Sequence, residues 1–196
     1  MNAYRLLSPL HRIISLAAIM MAALMLFYGA NVVFSAAALA QEREIDNQIP
    51  KHLPIKVTIK NLEKVKKLDN EEWMRDLGIE IKNTGEKPIY YLNLIVSLPD
   101  VITEKGISLA FPLRYGRSEL LRFSASLQSD DVPISSGESY TFTIPEQLQR
   151  GWERYSLRRN FPKKETKKVQ LEFQVLNFGD GTGFLGTSGV PKDIHK

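Results

Sequence analysis

The chain has 196 residues, 24% of them charged and 43% hydrophobic, with a formal net charge of +4 and no cysteine. The absent thiol removes disulfides, thiolate metal sites, thiol catalysis, iron–sulfur clusters and a lipidated N-terminal cysteine. So small a net charge, half of it supplied by Arg5 and Arg12, gives no ground for a nucleic-acid partner.

After Arg5 and Arg12 no charged residue appears until Glu42. The apolar stretch from Ile13 to Tyr28 gives way to the small-residue run SAAALA, with Ala38 and Ala40 at the positions a signal peptidase reads. The expectation is a signal segment over 1–40, cleaved before Gln41. The alternative is an uncleaved anchor over 13–40, because the uncharged run reaches the roughly 20 residues that a spanning helix needs. Both readings put the rest of the chain outside the cytoplasm, in the periplasm, at the cell surface or secreted. A membrane is then a partner only through that segment, if it stays attached.

Residues 41–53 read as an extended lead-in, 54–184 as one β-sandwich domain and 185–196 as a flexible tail. A domain of this size buries about 70% of its unfolded surface, enough for a core without disulfides. From PIKVTIKN onward, apolar residues alternate with polar ones. Ile55, Val57 and Ile59 do so first, then Leu77, Ile79 and Ile81 in LGIEIKN. Tyr90, Leu92, Leu94, Val96 and Leu98 share one parity, which places Tyr90 in the core and Tyr91 on the opposite, wetter face. GISLAF (106–111) reads as a further strand, and ELLRFSASL (119–127) as either strand or short helix. Tyr140, Phe142 and Ile144 alternate in SYTFTI, and Val169, Leu171, Phe173 and Val175 in KVQLEFQV. Such runs are strands with one buried and one solvated face, the antiparallel habit. NTGEKP (83–88) and PISSGES (133–139) are the turns between them.

PEQLQRGWERYSLRR, by contrast, has helical spacing. Pro145 and Glu146 suit a first turn, and Leu148, Trp152 and Tyr155 fall at i, i+4 and i+7 on one face. Asn160 and Pro162 mark its end. The expectation is therefore a mainly β fold: an immunoglobulin-like antiparallel β-sandwich of about seven strands, with one short helix before the last long strand.

KNTGEKPIYYLNL and ISSGESYTFTI resemble the immunoglobulin-like accessory modules of bacterial exported proteins. In those, a strand ends in an Asn-Thr-Gly or Asn-Ser-Gly turn, and a later strand follows a Pro-Gly-Glu-Ser-like turn. Ser136 stands here where proline is common. NFGDGTGF is similar to a motif in uncharacterised bacterial secreted proteins. The resemblance implies a non-catalytic accessory role and carries no site residue.

GTGFLG (181–186) has the glycine spacing of a dinucleotide-binding turn. That turn works by opening a helix whose amides meet a pyrophosphate. The segment that follows, TSGVPKDIHK, has no apolar helix face. Gly179, Gly181 and Gly183 thus read as a tight reversal after the last long strand, with Asp180 closing its own turn. Calcium needs six to eight oxygens, and Asp180 is the one acid between Glu172 and Asp193, so distant Asp130 and Asp131 would have to fold in. His52 and His195 read as solvated or locally bonded. No cofactor, metal or catalytic constellation is expected; a small carboxylate-dependent hydrolase is the remaining enzymatic reading.

Two surfaces remain. Trp73, Tyr90, Tyr91, Tyr115, Trp152 and Tyr155 read mainly as packing residues, with Tyr91 the best candidate for an exposed sugar platform. Between Arg150 and Lys168 stand eight basic residues and two acidic ones. Arg150, Arg154, Arg158, Arg159, Lys163 and Lys164 are the candidate binding surface for an anionic or sugar polymer, or for an envelope protein.

Overall fold

The computed structural model describes residues 42–162 and 165–195. The expected signal segment over 1–40, with its cleavage point, lies outside the described residues, as do Lys163 and Lys164.

In chain order the elements are β1 (Glu44–Asn47), β2 (Ile55–Lys60), α1 (Leu62–Lys66), α2 (Trp73–Asp76), β3 (Gly78–Asn83), β4 (Tyr91–Ile102) and β5 (Ser108–Tyr115). A 3-10 turn (Ser118–Leu121) follows, then β6 (Ser139–Thr143), α3 (Glu146–Arg158), β7 (Lys168–Asn177), β8 (Thr182–Leu185) and β9 (Val190–Asp193). The fold is mainly β, in two sheets. One has three strands in the order β2-β3-β6; the other has six, in the order β5-β4-β7-β8-β9 with β1 attached to β7. The pairings are antiparallel except β1 with β7, which is parallel.

The inner faces meet as the alternation requires. Ile79, Ile81 and Phe142 of the small sheet pack with Leu92, Leu94, Val96, Leu98, Leu171 and Phe173 of the large one, all buried. Burying each such side chain contributes about 1.5–3 kcal/mol.

Several expectations need correction. The described residues form nine strands rather than about seven, because both flanks of the expected domain join the large sheet. The lead-in supplies β1, whose Ile45 and Asp46 pair with Val169 and Gln170. The tail supplies β9, whose Val190 pairs with Leu185 of β8. Four-residue strands make too short a pattern to read, and partner strands decide them. The strand expected at 106–111 runs on to Tyr115. Residues 119–127 form neither strand nor α-helix; they begin in the 3-10 turn and continue irregularly.

The tyrosines are reversed. Tyr91 is buried, and Tyr90 is half-buried and packs beside it. Tyr91 does point away from the main core, but Leu120 and Phe123 of the 116–123 segment cover it there, together with Val175. Val175 also departs from its expected parity. The register between β4 and β7 shifts between Asn93 and Leu94, leaving Gln174 unpaired. This bulge turns Val175 outward and brings Leu176 into the main core.

One end of the sandwich is closed by helices. Arg43, only 1% exposed, gives its Nε to Thr166 O at 2.9 Å and its Nη1 to the carbonyls of Val65 and Lys67. Its guanidinium lies 4.6 Å from the centre of the buried Trp73 ring. Burial lowers its pKa to about 10. The other end is closed by turns. The buried Asn83 amide donates to Ile134 O and Lys87 O, both at 2.9 Å, and its Oδ1 accepts from Gly85 N. Asn177, also buried, donates to Leu120 O at 2.7 Å and accepts from Gly179 N.

Candidate functional site: the basic face of the third helix

Pro145 starts α3 at the expected place, and the 3.6-residue period then divides the helix into two faces. Trp152 is buried in the main core, with Leu148 and Tyr155 half-buried against it. Trp152 stacks on Tyr155 at 6.0 Å and meets Phe161 edge-on at 5.8 Å. Tyr155 Oη donates to Ile102 O at 3.1 Å, which ties the helix to the end of β4. Glu153 reaches Arg75 of α2 at 3.1 Å. The inner face is thus fixed by core packing and by the Tyr155 bond to β4, and the Glu153–Arg75 pair adds a tie at the surface.

The outer face is left to solvent. Arg150, Arg154 and Arg158 recur every four residues and form a stripe roughly 12 Å long. All three are exposed. Arg150 is paired loosely with Glu146, at 3.6 Å, both side chains being well exposed. Such a pair is worth about 0.3–0.5 kcal/mol and leaves the cation available. Neither Arg154 nor Arg158 has an ion-pair or hydrogen-bond partner among the described residues. Arg159 does not join the stripe. It turns toward the β4–β5 tip and meets Glu104 at 2.8 Å.

Leu157 completes this face and was missed in the sequence. It is 81% exposed and stands three residues from Arg154 and seven from Arg150. The same helical spacing that placed Trp152 inward puts Leu157 outward. Arg114, Arg117 and Arg122 lie at the turn-closed end and do not extend the stripe. Arg117 is instead engaged twice with Asp131, at 2.7 and 2.8 Å. Hydrogen bonds from Arg117 and from Gln128 N hold the Asp131 carboxyl at about 2, well below the ordinary carboxylate value.

The glycine segment lies at the turn-closed end. Gly179 and Gly181 have φ of +78° and +82°, and the chain leaves them in strand β8 rather than in a helix. A Cβ at Gly183 would stand 2.0 Å from Leu176 O. Asp180 Oδ1 accepts from Thr182 N at 3.0 Å, and Oδ2 takes Lys87 Nζ at 2.7 Å. Partial burial works against this carboxylate, but the bonds from Lys87 and Thr182 prevail and hold its pKa at about 2. Its carboxylate is spent on its own turn and on Lys87. His195 Nε2 lies 3.0 Å from Asp180 O, and His52 Nε2 lies 2.9 Å from Gly189 O, so both imidazoles are tied to backbone. Among the described residues no three His, Asp or Glu side chains converge as a metal-holding group.

Of the aromatic candidates, Trp73, Trp152 and Tyr91 are buried; Tyr90, Tyr115 and Tyr155 are half-buried. No family model, curated protein or solved structure matches the chain.

Proposed function

We propose that the protein is an exported, non-catalytic interaction module of the immunoglobulin-like kind, and that it holds an anionic partner on the outer face of α3. The strand order supports the module reading. A sheet β2-β3-β6 facing a sheet β5-β4-β7-β8 has the strand succession of A-B-E facing C′-C-F-G in immunoglobulin-type sandwiches. The charge pattern of the opening segment supports export.

The observation that carries the ligand chemistry is the Arg150–Arg154–Arg158 stripe, in which two of three guanidiniums have no internal partner among the described residues. An exposed arginine fork matches carboxylate and phosphate geometry. The partner is therefore an acidic envelope polymer or the acidic face of an envelope protein, with Leu157 giving apolar contact beside the charges.

The test is co-sedimentation of the protein with isolated cell envelopes at low and high salt, alongside a variant carrying Arg154→Glu and Arg158→Glu. The expected result is binding that fades as salt shortens the Debye length and that the double variant lacks. The variant should keep its stability to within about 0.5 kcal/mol, because both positions are exposed. Undiminished binding by the double variant removes α3 from the proposal. No binding at either salt overturns the envelope reading itself.

A further inference from the structure

Among the described residues, five strands of the two sheets have a free edge, and four of them are guarded. Free edges are usually blunted by charge or proline, because unpaired N–H and C=O groups recruit further strands. β1 carries Glu44 and Asp46, β2 carries Lys56 and Lys60, β5 carries Pro112 and Arg114, and β9 carries Pro191 and Lys192. β6 reads SYTFT, without a charge or a proline, and four of its five residues are exposed. Threonine and aromatic residues are also those that favour strands.

The direction of its backbone groups follows from its neighbour. Asn83 N donates to Glu138 O, and Gly137 N donates to Asn83 O, both at 2.9 Å. Thr84 N points the other way, to Pro54 O. By alternation along β3, Ile81 and Ile79 bond toward β6, where they face Tyr140 and Phe142. Tyr140 and Phe142 therefore spend their backbone groups on β3. Ser139, Thr141 and Thr143 present theirs to the open side.

We propose that β6 pairs antiparallel with β6 of a second copy of this chain, about a two-fold axis at Thr141. The sequence is self-complementary in that register. Thr141 faces the partner's Thr141, and Ser139 faces the partner's Thr143, so the residues with outward backbone groups meet one another and exchange hydrogen bonds. Tyr140 then faces the partner's Phe142 in the closer, non-hydrogen-bonded pairing, on the face where Tyr140 is 39% exposed. Tyr140 is already oriented for this by edge-on contacts with Phe142 at 4.9 Å and Tyr115 at 4.6 Å. No Asp, Glu, Lys, Arg or His lies at the five seam positions, so no charged side chains of like sign face each other there. The two three-stranded sheets become one of six strands. A seam this short falls below the roughly 1,200 Å² of a standard interface, so the dimer forms and dissociates with concentration.

The absence of any natural cysteine makes the register directly testable. Thr141→Cys is introduced into the full chain, purified in mild detergent and treated with a mild oxidant. At the two-fold axis the paired Cα atoms stand about 5.5 Å apart, within disulfide range. Thr143→Cys places its two thiols roughly 14 Å apart, and Thr58→Cys puts them on the guarded edge of the same sheet. The expected result is a disulfide-linked species of twice 22.3 kDa from Thr141→Cys alone. Ser139→Cys combined with Thr143→Cys should restore cross-linking. In sedimentation velocity, Thr141→Lys should raise the dimer dissociation constant at least about tenfold, since like charges would then face each other. Three outcomes overturn the proposal: no cross-link from Thr141→Cys on the order of 100 µM protein, equal cross-linking at all three single positions, or linkage of Thr141→Cys only to a different protein.

Discussion

At the helix-closed end, large side chains fill the space between the sheets: Trp73, Trp152 and the guanidinium of Arg43. At the turn-closed end, the buried Asn83 and Asn177 and the more exposed Asp131 and Asp180 instead secure the loops by bonding to backbone and to basic partners. The helix end leaves polar atoms behind. Arg43 Nη2, Trp73 Nε1, Trp152 Nε1 and Thr166 Oγ1 are buried there without a hydrogen-bond partner among the described residues. At the turn end, both amide groups of Asn83 and Asn177 are satisfied, and Asn93 Oδ1, near the start of β4, is the one buried polar side-chain atom left without a partner among the described residues. Burial of apolar area is non-directional and tolerates such orphans, whereas a polar clamp works only when its bonds are complete. The difference bears on function. A helix held by its inner stripe leaves its outer face exposed, where Arg154 and Arg158 stand without a partner among the described residues and Arg150 is paired only loosely with Glu146. A turn held by its own side chains has used them up, as Asp180 and Asp131 have been.

Three measurements sharpen that contrast. The largest effect is expected for Trp152→Ala, which opens a cavity between α3 and the core and should lower unfolding stability by roughly 3–5 kcal/mol in urea. A loss under about 1 kcal/mol would mean that α3 is held by its surface pairs with Arg75 and Glu104 instead. Next comes Asn177→Ala. It orphans Leu120 O and Gly179 N, and at about 1–3 kcal/mol for a buried unsatisfied group, a loss of roughly 2–4 kcal/mol is expected by the same assay. Asn177→Asp keeps the acceptor and loses the donor, and should fall between the alanine variant and the wild type.

The smallest effect is on acid sensitivity. The Asp131 pKa is depressed in the folded state, so the carboxylate contributes stability that is fully present above its unfolded value near ~3.9 and is lost as pH falls through about 2. Asp131→Asn should therefore flatten the decline in stability between about pH 4 and about pH 2, followed by circular dichroism. An unchanged acid profile would show that the Arg117–Asp131 pair does not distinguish folded from unfolded chains. Asp180, which titrates in the same window, is kept intact in this variant so that the two carboxylates are read separately.

What was legible in the sequence was whatever repeats over six or more residues. The alternation in β2, β3 and β4 marked strands and their inner faces, and the spacing of Leu148, Trp152 and Tyr155 marked the inner face of α3. Leu157 obeyed the same period and could have been read from it. Two short helices, α1 and α2, carry too few turns to show a period, and β1, β8 and β9 too few residues. The candidate site divided in the same way. The stripe at Arg150, Arg154 and Arg158 follows from helical spacing, but the diversion of Arg159 to Glu104 does not, because Glu104 comes from a hairpin tip 55 positions away in sequence.

By itself the sequence determined the periodic strands, the helix α3 with its two faces, and the chemistries that a chain without cysteine lacks. Those are local consequences of side-chain spacing and composition. Only the tertiary structure decided that Tyr91 is covered while Tyr90 is partly free, that the bulge at Gln174 exchanges Val175 for Leu176 in the core, and that Asp131 and Asp180 are already engaged. Among the described residues, it alone left β6 with an unguarded edge. Each of these depends on which distant segment packs beside the residue, and burial and hydrogen bonding are set by neighbours in space rather than by neighbours along the chain.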